Sequence, residues 1–349
     1  RRSSDLVRER ISIADVFGID RDQQIRRQGR QLGKPGRQSL TQIARSTRLR
    51  NVDGHLGSSG EIAGPRMWVA GTPLGPTGGH NDAANGLDPA LSHPGWTDNI
   101  VNSPEDARRI VRTLKREGVD LIKIMPSGGV LSIGDDPNLQ LMADDEIKAV
   151  VDTAHSLNMK VAAHAHGLKA INAAVRLGVD SIEHGSFADN TSYQLMKQHG
   201  TYLVPTLLIA QRVYDIAKTH PEQLNPSSAA KALAVVLRMQ QNVNNAYHAG
   251  VKIAFGTDEG LVPHGQNAGE FALMVKSGMS PMDAIIAATG NAADLIGDPQ
   301  DIGSVQKGRY ADIVAVNGDP LANIRQLEHV GFVMKGGTIY KQNGQIVPR

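Results

Sequence analysis

From Arg48 to Asp258, short apolar runs alternate with longer stretches of helical periodicity. Ser103-Pro104-Glu105 sets an N-cap followed by proline at the first helical position, which predicts a helix to about Glu117 and a stop at Gly118. VDLIKIM follows as a strand. Ala143 to Leu157 predicts a second helix, with Asp144, Asp145 and Glu146 at the positive end of its dipole. KVAAHAH, DSIEH, YLVPTL and KIAFGTD read as further strands, separated by helices over Leu168–Leu177, Asn190–His199 and about Ser227 to Ala249. Ahead of these, TRLRNVD and PRMWVAG read as strands, and the loop GTPLGPTGGHNDAANG carries too much Gly and Pro for a regular element.

Short apolar strands separated by helices imply parallel pairing with right-handed crossovers. Seven strands can be counted between Arg48 and Asp258, one short of a closed barrel. The fold class expected is therefore α/β, a TIM-like (β/α)8 barrel without a recognisable first strand. Helices over Ala268–Ser277 and Pro281–Leu295 follow; then the Gly-punctuated patterns GSVQKGRYADIVAVNGDP and GFVMKGGTIYKQNGQIV predict a small β-sandwich appendage. The expected division is 1–47 as an atypical Arg-rich segment, 48–300 as the barrel and 301–349 as the strands of the appendage. Within the first segment only Leu6 to Phe17 has the spacing of a short amphipathic helix.

In such a barrel the chemistry sits at the C-terminal ends of the strands. Lys123, His164, His184 and Asp258 all fall at or near those ends. An ammonium inside LIKIM is costly to bury. Lys123 therefore either pairs with a carboxylate, such as Asp120 or Glu183, or reacts with carbon dioxide to give a carbamate, an anionic ligand able to bridge two metals. His164 and His166 alternate on one strand and point the same way, so one of them is expected as a ligand. His184 closes the next strand before Gly185. Histidines at successive strand ends beside a buried lysine point to a divalent metal. The chain has no cysteine, so its ligands must be nitrogen and oxygen. Asp258 is placed as ligand, general base or both, with Glu259 as a supporting or solvated neighbour. His80 in GGHND, His166 and His264 are candidates to touch substrate; for His80 a plain turn histidine is the equal alternative.

Composition narrows the classes further. A chain of 349 residues, 40% hydrophobic, can bury one large core with a small appended unit. No apolar run approaches the roughly 20 residues of a membrane span, so a soluble product is expected. The net charge of +2 hides an asymmetry: residues 1–50 carry 13 Arg and Lys against 5 Asp and Glu, a balance of +8, and the remainder sums to −6. The cations are scattered and Phe17 is the only aromatic among them, so nucleic-acid binding is not expected. The chain as given shows neither an initiator Met nor the apolar core of a signal peptide, and its location stays open.

Together, GPRMWVAGTPLGPTGGHND, IKIMPSGG, VAAHAHG, SIEHG, FGTD and G-RYADIVAVNGDPL resemble successive motifs of the amidohydrolase superfamily, over roughly residues 48–345. The likeness is to its imidazolonepropionase-like and Xaa-Pro or Xaa-Arg dipeptidase-like branch. It implies one or two divalent metals, usually zinc, with Lys123 carboxylated and bridging. It also implies His164 and His184 as ligands of one metal, and Asp258 as ligand of the other and proton shuttle. The implied activity is hydrolysis of amide or peptide bonds by a metal-activated hydroxide, in a homo-oligomer. The implied substrates are small: dipeptides, N-acyl amino acids or ochratoxin-like amides. One departure stands out. The family takes a His-x-His pair from its first strand, whereas residues 1–54 contain no histidine and His55 stands alone. With the change of composition near Arg48, this fits a reading-frame disruption or a truncated N-terminus. It keeps a second reading open, a catalytically impaired scaffold lacking those ligands.

Overall fold

The computed structural model describes residues 64–85, 88, 95 and 97–348. The segment 1–47 with its short helix, the strand expected over TRLRNVD at 47–53, and His55 and His93 lie outside the described residues.

Ser103 accepts the amide of Asp106 at 3.1 Å and Pro104 opens helix α1, Pro104–Arg116, with acidic residues in its first turn and basic ones in its last. Strand β1, Leu121–Ile124, follows. Helix α2, Asp144–Ser156, has no side-chain cap from Ala143; instead the Glu146 carboxylate reaches back to the Ala143 amide at 2.8 Å. Then come β2, Lys160–Ala165, α3, Leu168–Arg176, β3, Ser181–His184, α4, Asn190–His199, and β4, Tyr202–Val204.

These strands pair in parallel in the order β1-β2-β3-β4. Lys123 sits opposite Ala162, Ala162 opposite Ser181, and His164 opposite Glu183. Single parallel bridges, Leu74 to Ile124 and Leu203 to Ile253, extend the array by one position at each edge. KIAFGTD, expected as a full strand, is reduced to the bridge at Ile253, and PRMWVAG does not form its expected strand, the bridge at that edge falling beyond it at Leu74. Val69 N donates to the Asp120 carboxylate at 2.7 Å, and Phe255 N donates to the Ala287 carbonyl at 3.0 Å. Alternation divides the sheet into two faces. Ile122, Ile124, Val161, Ala163, Ile182 and Leu203 pack into one core with the helices. Lys123, Ala162, His164, Ser181 and Glu183 take the other face.

Helix α5, Leu207–Thr219, begins directly after β4, where the sequence pattern offers only a strand end. Its first turn has no acidic residue and Thr206 provides no side-chain cap. Its amides are met from a distance, by Glu270, which accepts from Leu207 N at 2.8 Å and Leu208 N at 2.6 Å. Helix α6, Pro226–His248, is capped locally by Asn225, and α7 spans Gly269–Lys276. The single helix expected over Pro281–Leu295 is two, α8, Pro281–Ala288, and α9, Gly290–Ile296. The break is Thr289, at φ −124° and ψ −90°.

The tail forms a separate antiparallel sheet in sequence order, β5, Ile313–Val316, β6, Val330–Lys335, β7, Thr338–Gln342, and β8, Gln345–Ile346. A 3-10 turn, Ile324–Glu328, roots it by burying Ile324 and Leu327 in the main core. Arg66 pairs with Asp312 at 3.2 Å, and Lys335 Nζ donates to the Gly64 carbonyl at 2.9 Å. No described helix is long and apolar enough to cross a membrane.

Candidate metal centre

Strand β2 delivers His164 and, one residue past its end, His166, both on the interior face and both buried. His184 would by alternation join Ile182 on the helix-facing side. A φ of +67° at His184, followed by +59° at Gly185, breaks the alternation and turns the ring inward. Its ring centroid then lies 4.7 Å from that of His164 and 4.8 Å from that of His166. One possible ligand atom from each of these three histidines lies within 4.8 Å of the others.

Hydroxyls and a carbonyl hold the rings. His184 Nδ1 meets Thr206 Oγ1 at 2.6 Å, and His166 Nδ1 meets Ser186 Oγ at 2.6 Å. The His166 amide donates to Ser127 Oγ at 3.0 Å. His164 Nε2 lies 3.2 Å from the Gly128 carbonyl, which can only accept, so Nε2 carries the proton and Nδ1 a bare lone pair. That Nδ1 is buried without a hydrogen-bond partner. Burial, reinforced by nearby positive charge, pushes His164 and His184 well below the usual imidazole range and His166 down to about 3. All three rings are therefore neutral at pH 7, the state a metal requires. An orphaned lone pair among neutral imidazoles, with no thiolate in the chain, fits a borderline divalent ion such as zinc.

Lys123 is buried in β1, in register with Ala162, two residues below His164 on the same face. Its charge contributes to the low basicity of all three histidines. Asp258 stands after the Ile253 bridge at φ +49°, and Thr206, which follows β4, is at +50°. Left-handed backbone is unusual for these residues, and most of all for β-branched threonine.

Above the histidines opens a pocket. His80, Asp258 and Glu259 line it together with an apolar wall from Ile209, Ala210 and Val213 of α5 and Val236 and Met239 of α6. His80 stacks on His164, and its Nδ1 meets Ser132 Oγ at 2.8 Å.

The profile of the amidohydrolase family matches residues 41–341 of the chain. The chain belongs to this family. It is 34% identical over 304 residues to ochratoxinase of Aspergillus niger, an alignment covering 82% of this chain and 62% of that enzyme. The chain thus spans about three fifths of the length of that relative. Among solved structures, a Xaa-Pro dipeptidase with bound methionine in the active site superposes at a TM-score of 0.81 with 38% identity, covering 83% of this chain and 72% of the other. A prolidase complexed with N-methylphosphonate-L-proline superposes at 0.77 with 32% identity, covering 83% and 73%. The fold class is that of the TIM-barrel amidohydrolases, with the parallel sheet as part of the barrel and the antiparallel sheet as its appendage.

Within this amidohydrolase, His80, His164, His166, His184 and Asp258 converge on one pocket. His166 joins the other two histidines in one cluster. His264 is exposed and reaches the pocket only through Glu259, 3.2 Å away. Glu259 also holds Asn267. Sequence reasoning missed Thr206, Ser186, Ser132, Asp135 and Lys231, which hold the histidines and their loops. It also missed the wall built by α5. Only the Ser in HGS, two residues after His184, offered a local signal.

Proposed function

We propose that this protein is a metal-dependent hydrolase that cleaves the amide or peptide bond of small substrates such as dipeptides, N-acyl amino acids or ochratoxin-like amides. The observation that carries the reading is the set of three buried, neutral histidines, one with an orphaned Nδ1, at the foot of a pocket that also presents Asp258. The similarity to a dipeptidase and to ochratoxinase supports the same class.

His164 and His184 would hold the ion, with His166 beside them. Lys123, after addition of carbon dioxide to Nζ with loss of a proton, would contribute an anionic oxygen. A divalent metal there supplies a water of pKa near about 7 and polarises a carbonyl oxygen. Asp258 takes the proton of the attacking water on its carboxylate and returns it to the leaving amine nitrogen. His80 points a ring nitrogen at the bound amide, and the α5–α6 wall excludes water from an apolar substituent.

Incubation of the zinc-supplemented chain with a panel of dipeptides and N-acyl amino acids tests this, with amine release as the readout. Turnover that a chelator abolishes and zinc restores is the expected result. No turnover by a chain carrying stoichiometric zinc would overturn it.

A further inference from the structure

Glu270 is fully buried, in the first turn of α7, and does not line the pocket. Burial pushes its carboxyl up to about 8, against the pull of two backbone amides. A carboxyl in so unfavourable a place needs a structural return. Its two hydrogen bonds go to consecutive amides, Leu207 and Leu208. These open helix α5, whose own sequence supplies no cap. The residue just before them is Thr206, held at φ +50°, and its hydroxyl meets His184 Nδ1 at 2.6 Å. The first turns of the same helix carry Ile209, Ala210 and Val213 into the pocket wall.

We propose that Glu270 is a positioning residue: by gripping the Leu207 and Leu208 amides it fixes Thr206 in its left-handed conformation, and through Thr206 it aims the His184 ring into the histidine cluster. A metal ligand is oriented by the hydrogen bond on its other nitrogen. Here that bond is made by a residue whose backbone is strained and must be held from outside. The link runs Glu270, Leu207 and Leu208 amides, Thr206, His184. The part of the proposal that concerns metal affinity rests on the metal-centre reading; the part that concerns ring and backbone positioning does not.

The test uses Glu270→Gln, which keeps the shape but gives one of the two amides a donor to face. Two readouts are taken on the full chain: zinc affinity by competition with a chelating dye, and amide hydrogen exchange by mass spectrometry. The expected result is a loss of zinc affinity of about tenfold or more. Exchange should quicken across residues 182–187 as well as 202–213. Thr206→Val, which removes the hydroxyl alone, should lower zinc affinity to a similar degree, and the double variant should be no weaker than the weaker single. Val175→Ala in α3 serves as a control for general destabilisation: it should lower the melting temperature and leave zinc affinity unchanged. Faster exchange confined to 207–210, or wild-type zinc affinity in folded Glu270→Gln, would overturn the proposal. So would strict additivity in the double variant. Should Glu270→Gln not fold, Glu270→Asp gives the same readouts with the carboxylate merely withdrawn. Should the wild-type chain take up no zinc, the metal reading fails, and exchange at 182–187 still decides the positioning role.

Discussion

His80 lies stacked on His164, ring centroids 4.3 Å apart and planes inclined by 22°. The hydroxyl of Ser132, which meets His80 Nδ1, donates to Asp135, a carboxylate whose side chain is fully buried and which Lys231 pairs at 3.2 Å. A hydroxyl that gives its proton to a carboxylate must accept from His80, so Nδ1 carries a hydrogen. Asp135→Asn is expected to lower kcat/KM by about tenfold through loss of this orientation, with zinc content unchanged. Steady-state kinetics beside metal analysis checks it; a parallel loss of zinc would place Asp135 in the metal centre instead.

The same ring has almost no room behind it. A Cβ on Gly129 would come 2.0 Å from His80 Nδ1, so Gly129→Ala must displace the imidazole. Activity should fall by about tenfold or more if His80 positions the substrate, because a misplaced positioning group costs orders of magnitude. The melting temperature should move by only a few degrees, since the ring can swing toward the pocket. A wild-type rate would mean that His80 takes no part in the reaction.

Zinc uptake separates an active enzyme from a silent scaffold. Wild-type protein should hold at least one ion per chain. His164→Ala and His184→Ala should each reduce zinc affinity by about 100-fold, at the upper end of what disturbing a metal centre costs. Elemental analysis after dialysis measures this. A chain that holds no zinc and hydrolyses nothing would favour the scaffold.

Two opposite pH effects are built into the metal-free fold. His166 is held at about 3 against an unfolded value of 6.5, so between these values the unfolded chain binds a proton the folded one refuses. Stability should therefore fall as pH drops through 6.5, and His166→Gln should flatten that slope. Glu270 behaves in the reverse sense. Its folded value of about 8 lies above the unfolded 4.5, so the folded state keeps a proton the unfolded state has lost. Its contribution is whole below 4.5 and is lost as pH rises toward 8. Urea melts from pH 4 to 9, compared with Glu270→Gln, resolve the second effect.

The α5–α6 wall should select for apolar groups. Val213 is buried and on the pocket, so Val213→Lys would set an ammonium against Val236 and Met239. KM for an amide with a bulky apolar substituent should rise about tenfold or more, in line with roughly 1.5–3 kcal/mol for burying one such side chain. An unchanged KM would put that substituent elsewhere.

What was legible in the sequence is what local chemistry encodes. Ser103, Asn225 and Ser280 cap their helices from the adjacent residue; the first two helices fall where the pattern put them, and the third starts there but breaks at Thr289. The strand-end histidines were visible for the same reason, since a polar group closing an apolar run stands out. Helix α5 was not visible, because its cap comes from Glu270, more than sixty positions away. His184 was found as a residue but not as a geometry: alternation alone turns it away from His164, and only its left-handed φ brings it back. The network from His80 to Lys231 joins loops and a helix far apart along the chain, so no window of sequence contains it.

His184, Thr206 and Asp258 occupy backbone conformations in which glycine would rest without strain. The other such non-glycine residues among those described are Asn158 and Asn343, of a type at home there. Selection for heat resistance alone would drift toward glycine or asparagine at 184, 206 and 258, and would discard an imidazole, a hydroxyl and a carboxylate in doing so. On the proposed reading, ancestors and laboratory descendants of this chain that relax these positions should hydrolyse amides more slowly than those that keep them.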